Sequence, residues 1–361
     1  MFEPSSLAAK SLSGIVAKMP ESKLNSSRSY WRLLGLTLLT GLCVASHAPA
    51  NAQLSEFRVG RQPGMIYLPL YVMEEQDLLA KHAVRLGIAP AKLKLVNLGS
   101  ASAINETLLS GSVEAVAGAI TPLLTLWDKT NGAQKVKAIV SLSNSNLYLN
   151  SNDPKLKSLK DFTEQHRIAL SGVGVSMQAT LLQMASAQAF GEGQEKRLDP
   201  MTVSMPHPEG LVALLSGNVI AAHFTTAPFQ NLELRDSKIH RVLTSNDILG
   251  GYAPAALVFT MQSVYAANPK LIEAFVAAAD EANAWILKNP RETAELYLRK
   301  EPQKLSVDEI KELLGNGDTR FSTTPENSLK IATFMAKLGR LKTAPASWKD
   351  YFFPVVSGDG S

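Results

Sequence analysis

One phrase of eight residues occurs twice in this chain, and the second copy follows the first at an offset of 106 positions. Leu108-Leu109-Ser110-Gly111-Ser112-Val113-Glu114-Ala115 and Leu214-Leu215-Ser216-Gly217-Asn218-Val219-Ile220-Ala221 share the pattern L-L-S-G-x-V-x-A. Pro122 and Pro228 keep the same offset. One copy alone would constrain little. Two copies in register predict two halves built on one plan, each with a helix, a glycine stop, a short strand and a turn into the next helix. Paired halves enclose a cleft, and a cleft is the default place for a ligand.

The segments around the copies agree with that plan. Phe57–Val59 reads as a strand, Gly60–Gly64 as a turn and Leu68–Leu79 as a helix. Lys94–Leu98 is a second strand, and Gly99-Ser100-Ala101-Ser102 opens a helix to Ser110, with Ser102 as its N-cap. Ala115–Gly118 is a strand, Thr121-Pro122 starts a helix, and Val136–Leu142 is a strand. The alternation restarts after Ser158-Leu159-Lys160-Asp161, which resembles a capping box. Strands are expected at Ile168–Ser171, Ala221–Phe224 and His240–Thr244. Helices are expected from Ser176 to Phe190, over Pro208–Ser216 and over Ala227–Leu234. Gly250-Gly251 marks a flexible point before a buried strand, Ala255–Thr260. The remainder is helical: Asn268-Pro269 and Asn289-Pro290 each suggest an Asn N-cap, and Leu271, Phe275, Ala278, Ala282 and Trp285 recur at helical spacing. Ser306–Glu309 forms a capping box, and Thr324-Pro325 starts a last helix through Leu338 that stops at Gly339. The class is α/β, with mainly parallel sheets covered by helices on both faces.

The first 52 residues have a different character. Lys18, Lys23, Arg28 and Arg32 precede an apolar run from Leu34 to Ala45, and Ala50-Asn51-Ala52 ends in A-x-A. That order describes a secretory signal with cleavage after Ala52, and Met19 is a second candidate start. The sole cysteine, Cys43, lies inside the run behind Leu42 rather than a small residue, so a lipoprotein signal is not expected. The exported chain then has no thiol chemistry and no disulfide. Residues 1–52 hold five of the 36 Lys and Arg and two of the 32 Asp and Glu, which leaves a net charge of +1 beyond them. That balance gives no basic surface for nucleic acid.

Catalytic patterns are sparse. His82, His166, His207, His223 and His240 stand outside any H-E-x-x-H or paired metal-ligand spacing, and each reads as a surface or satisfied histidine. No G-x-S-x-G elbow or Walker sequence occurs, and Gly172-x-Gly174 lacks the third glycine of a dinucleotide fingerprint. No metal site, catalytic residue or cofactor is expected. Binding patterns are stronger. Ser100, Ala101 and Ser102 lie at one helix start, Ser176, Met177 and Gln178 at another, and Thr225 and Thr226 before a third. Helix starts with small hydroxyl residues suit oxygen-bearing groups, because free amides donate and the dipole favours negative charge. Gln62 can hydrogen-bond a ligand from the first strand–helix turn. Arg61, the full cation of that turn, has a solvated surface role as its plainer reading.

These motifs together resemble the periplasmic substrate-binding proteins of ABC transporters, in the nitrate/taurine/aliphatic-sulfonate group. The resemblance runs from residue 53 to 354 through Gln62-Pro63-Gly64, Leu98–Ala103, Leu109–Val113, Thr121–Leu124, Ala213–Gly217, Ala227-Pro228-Phe229, Thr324-Pro325-Glu326, Phe334-Met335 and Ser347–Asp350. It implies a bilobed type II periplasmic binding fold, with two mixed or parallel sheets flanked by helices around a central cleft. Lobe I would be 53–148 and 252–361, and lobe II 149–251, hinged near Leu147–Asn150 and Gly250–Ala255. The family's ligand-facing positions fall on Gln62, the Ser100–Ser102 turn, Thr121, the Val175–Gln178 turn and Thr225-Thr226. Two features depart from the pattern: Asp77 stands where many relatives have glycine, and no Arg follows Arg61 in the cleft turns.

The expectation is a periplasmic, monomeric, non-enzymatic protein that captures a small molecule and delivers it to a membrane permease. An aliphatic sulfonate or related oxyanion is the first ligand expected, with a neutral heterocycle such as a thiamine pyrimidine precursor close behind. The rival classes are a thiamine-pyrimidine-synthase-like enzyme, whose cysteine-rich motif the exported chain lacks, and a sensory module acting through a partner.

Overall fold

Both copies of the duplicated phrase close a helix and lead into a strand, which begins at Ala115 after the first and at Ala222 after the second. In the computed structural model the described residues are 53–99, 101–130, 135–355 and 360–361; the expected signal and its cleavage point lie outside them. The first stretch runs β1 Glu56–Arg61, α1 Leu68–Glu75, α2 Leu78–Arg85, β2 Lys92–Asn97, α3 Ala101–Leu109, β3 Ala115–Gly118, α4 Ile120–Lys129 and β4 Val136–Ser145. The second runs β5 Tyr148–Ser151, β6 Ile168–Leu170, α5 Met177–Phe190, β7 Thr202–Ser204, α6 His207–Ser216, β8 Ala222–Thr225, α7 Phe229–Glu233, β9 His240–Thr244 and α8 Ser245–Leu249. The third runs β10 Ala253–Met261, α9 Gln262–Ala267, α10 Pro269–Lys288, α11 Pro290–Lys300, α12 Val307–Gly315, β11 Thr319–Phe321 and α13 Ser328–Lys337.

The copies agree down to single contacts. Gly111 stops α3 at φ 70° and Gly217 stops α6 at φ 72°, the left-handed region that glycine enters without penalty. Ser110 Oγ donates to Thr107 O at 3.0 Å, and Ser216 Oγ to Ala213 O at 2.8 Å. Leu108 and Leu214 are buried, whereas Leu109 and Leu215 are exposed. The prolines diverge: Pro122 lies inside α4, while Pro228 follows a cis peptide bond ahead of α7.

The repeat extends to two sheets. One has the order β2-β1-β3-β10-β4-β11 and the other β7-β6-β8-β5-β9. In the first, β1 pairs in parallel with β2 and β3, and β10 runs antiparallel to β3 and β4. In the second, β6 pairs in parallel with β7 and β8, and β5 runs antiparallel to β8 and β9. Both sheets are therefore mixed, not mainly parallel as the alternation alone suggests. The strands entered from the other sheet, β5 and β10, run antiparallel to both their neighbours, and β11 is antiparallel to β4 at the edge. Asn146 and Leu147 alone separate β4 from β5, so most of the Leu147–Asn150 segment expected as a crossover is strand. The return crossing carries α8, opened by a Thr244–Asp247 capping box and closed by Gly250 at φ 74°.

The core follows the apolar periodicity. Strands β3 and β8 are buried along their whole length. Helix α10 buries Leu271, Ile272, Phe275, Ala278 and Ala282 and packs on α1 and α2, with Trp285 half-buried. Helix ends depart from expectation at four places. The first expected helix breaks into α1 and α2 at Asp77, which takes φ 50°, a left-handed turn that a short polar side chain tolerates. The last helix starts at Ser328 rather than Thr324, after Asn327 at φ 54°. Asn268 and Asn289 face backwards: their Nδ2 atoms donate to Val264 O and Trp285 O, and neither side chain accepts from the helix ahead. Proline at the next position removes the first amide, so the preceding carbonyls are the partners in need.

Candidate ligand site

The first wall forms where β1 runs out. Arg61 ends the strand, and Gln62-Pro63-Gly64 turns the chain towards α1. Arg61 is buried rather than solvated, contrary to expectation. Its Nη1 donates to Glu301 Oε1 at 2.7 Å and to Gln62 O at 3.2 Å, and its guanidinium lies 4.4 Å from the Tyr71 ring centre. Glu301, just past α11, also accepts from Gly64 N at 2.9 Å, from Tyr297 OH at 3.1 Å and from Tyr71 OH. Burial and then the Glu301 charge push both tyrosine hydroxyls up, so both remain donors. One carboxylate thus pins the turn that carries Gln62 and neutralises the cation beside it.

The second wall begins at Ser171, just after β6. Ser176 caps α5, its Oγ accepting from Ala179 N at 3.2 Å. Gln178 Oε1 accepts from Ser171 Oγ at 3.2 Å. Behind this turn stands Arg340, beyond α13. Its Nη2 donates to Gly174 O at 2.8 Å, and its Nη1 to Thr180 Oγ1 at 2.7 Å and Gln183 Oε1 at 3.2 Å. Burial lowers the Arg340 pKa, and nearby Asp199 opposes that.

The third wall comes from β8 and α6. Thr225 Oγ1 lies 2.8 Å from His207 Nδ1. His207, the first residue of α6, stacks on Phe229 at 5.7 Å and tilts against His223 at 5.8 Å. Burial, then the neighbouring His223, pushes its pKa down to about 3, so the ring is neutral near pH 7. Beneath it, His223 Nδ1 lies 2.5 Å from Glu233 Oε1, and Glu233 Oε2 accepts from Asn150 Nδ2 at 2.8 Å. Met65 N donates to Ala227 O at 3.2 Å, which joins the first wall to the third.

These walls enclose a narrow cavity of ≈ 20 Å³. Its lining takes Gln62, Ile66, Tyr67, Ala119, Pro122, Leu147 and Ala255 from around the first sheet, and Ser171, Ser176, Met177, Gln178, His207 and Thr226 from around the second. Five sequence-predicted residues therefore meet here: Gln62, Ser176, Met177, Gln178 and Thr226. Thr226 Oγ1 is buried without a hydrogen-bond partner. Thr121 is buried beside Pro122, outside the lining, and its Oγ1 also has no partner. Thr225 lies behind the lining and reaches it through His207. Ala101 and Ser102 are the first two residues of α3, so Ser102 is not an N-cap; Ser100 lies outside the described residues. Nor does a third helix offer free amides at Thr225-Thr226, since Thr225 is strand and α7 has five residues.

His207, Ser171 and Tyr67 are lining residues that the sequence reading missed. A signal for His207 existed. The 106-residue offset carries Ala101, an expected site residue, onto His207, and each opens its helix. None of the residues lining the cavity is charged, and no group of three or more His, Cys, Asp or Glu suited to a metal occurs among the described residues.

Comparison with known proteins gives the same picture. The model of the NMT1-like family matches residues 50–298. No curated protein matches at the sequence level. Among solved structures, the chain is similar to the periplasmic aliphatic sulphonate binding protein SsuA of Escherichia coli, at 16% identity and TM-score 0.62 over 85% of this chain and 94% of that one. It is similar to the periplasmic nitrate-binding protein NrtA of Synechocystis PCC 6803, at 16% identity and TM-score 0.65 over 82% and 84%. The alkanesulfonate-binding SsuA of Xanthomonas axonopodis pv. citri, bound to MOPS, gives 14% identity and TM-score 0.64 over 81% and 96%. These binding proteins share the fold of this chain, and by its sequence the chain belongs to the NMT1-like family.

Proposed function

We propose that this chain is the solute-binding component of an ABC importer, working outside the inner membrane once its leader is removed. Residues 53–148 with 252–361 act as one lobe and 149–251 as the other. A small organic molecule enters between them, touches both, and favours the closed arrangement because only there are all its contacts made. The closed protein, a monomer, then passes its ligand to a membrane permease.

One observation carries this reading: the cavity is lined by buried polar side chains from both sheets, Gln62 on one side and Ser171, Ser176, Gln178, His207 and Thr226 on the other. Such a mixed polar and apolar concavity is the ordinary form of a small-molecule site. The hydroxyls of Ser171 and Ser176 bond to Gln178 and to a helix amide rather than to a base, which favours binding over nucleophilic catalysis.

The test is direct. Protein purified natively, then denatured, should release one stoichiometric small molecule detectable by mass spectrometry. Adding it back should raise the melting temperature, because a ligand of the native state stabilises that state. It should be recovered unchanged after long incubation. Recovery of a converted product would make the chain an enzyme.

A further inference from the structure

We infer that the cavity selects an uncharged ligand, a small molecule with adjacent amide-type or hydroxyl-type donors and acceptors, rather than a sulfonate, nitrate or other oxyanion. This rests on the binding role proposed above and narrows its ligand.

Charge is the first constraint. A desolvated anion needs a cation or a dense set of donors to replace its water. The nearby cation Arg61 is ion-paired and lies outside the lining: its Nη1 donates to Glu301, whose carboxylate is held in turn by Gly64 N, Tyr71 and Tyr297, and its Nε is buried without a partner. The pair adds no net charge to the wall. Arg340 turns its guanidinium to Gly174 O, Thr180 and Gln183, behind the α5 turn and outside the lining. His207 is neutral near pH 7 because burial and His223 disfavour its cation.

The lining groups themselves point the same way. Gln62 and Gln178 carry both an acceptor and two donors, and Ser171, Ser176 and Thr226 can each donate or accept. An oxyanion only accepts, so the carbonyl oxygen of Gln62 would be wasted or repulsive against it, while that of Gln178 already accepts from Ser171 Oγ. A ligand edge that alternates donor and acceptor uses both kinds of group. The start of α5 supplies about half an elementary charge, enough for a carbonyl oxygen. Thr226 Oγ1 is the independent observation. It is buried, lines the cavity and has no partner, so its hydroxyl is available to a ligand group. With Nδ1 of His207 engaged by Thr225, the other ring nitrogen is what that side chain can offer alongside it.

The experiment uses matched pairs on the purified protein at pH 7: nicotinamide with nicotinate, uracil with orotate, and ethanesulfonamide with ethanesulfonate. Calorimetry and melting shifts are read for each. Binding by at least one neutral member, at least tenfold tighter than its charged mate, is the expected result. Thr226→Val should then weaken that neutral compound at least tenfold, with circular dichroism and the unliganded melting curve as the folding control. Tighter binding of a charged mate would overturn the uncharged class while leaving the binding-protein role standing. Equal binding of the wild type and Thr226→Val would overturn the part given to Thr226. A set in which no compound binds would overturn the ligand class; the native release experiment described above tells that failure apart from failure of the binding role.

Discussion

At the residue scale, two buried groups set the character of the site. His207 has a folded pKa of about 3, against about 6.5 for an unperturbed histidine. The unfolded chain therefore binds the extra proton between those values. The contribution to stability is complete above about pH 6.5 and is lost as pH falls towards 3, by up to about 1.4 kcal/mol per pH unit. Melting temperature should fall as pH drops from 6.5 to 4.5, a window above the main carboxylate range, and His207→Gln should flatten that slope in scanning calorimetry. Glu301 is the second group. Removing it leaves Arg61 buried and unpaired, a change that costs about 3–5 kcal/mol in comparable pairs. Glu301→Ala should lose that much in urea unfolding, and a variant within about 1 kcal/mol of wild type would show that the network is dispensable. The sequence marked Gln62 but not this pairing, because Arg61 and Glu301 lie 240 positions apart and nothing local joins them.

At the element scale, the glycines separate backbone strain from crowding. A Cβ on Gly111 or Gly217 would meet nothing within 4 Å, yet each has a left-handed φ. Gly111→Ala and Gly217→Ala should each lose about 1–2 kcal/mol, and by similar amounts, in denaturant titrations. Gly210 is the opposite case: a Cβ there would lie 2.5 Å from the His223 ring, so α6 would have to lift off β8. Gly210→Ala should cost at least as much, and it should disturb the His207 and His223 resonances in NMR spectra, which the other two should leave in place. Elements with strong local signals were legible. The strands β3 and β9 fall on their predicted residues, and the capping boxes at Ser158 and Ser306 form as read. The missed elements β5, β7, β11 and α8 are short; β5 and α8 sit at the crossings between sheets, and β7 and β11 at sheet edges. Their identity is set by the partner strand or the turn geometry of the other half, which no window of sequence contains.

At the scale of the whole molecule, α13 and its exit tie the C-terminal stretch to the 149–251 region with cations. Lys330 Nζ donates to Leu249 O at 2.6 Å, Lys337 pairs with Glu192 at 2.6 Å, and Arg340 grips the start of α5. Arg235 answers from the 149–251 region, bonding Lys304 O at 3.0 Å and pairing with Glu309. Exposed pairs contribute little singly, about 0–1 kcal/mol each; under the two-lobe reading proposed above, their combined bias towards closure would be small enough for a ligand to decide the balance. Replacing Arg340 and Lys337 together by Met should enlarge the radius of gyration of the unliganded protein in small-angle scattering; an unchanged profile would show that these cations do not hold the halves together.

The position of β10 has a further outcome for how such a chain must assemble. It is the only strand that bridges β4 to β3 in the first sheet, yet it comes after the whole of the second sheet in the chain. The second sheet is complete in one uninterrupted run, from Tyr148 to Thr244. The first stays in two unconnected pieces until residue 261 has emerged, with the apolar flanks of β3 and β4 uncovered meanwhile. The half delivered first is thus the half finished last.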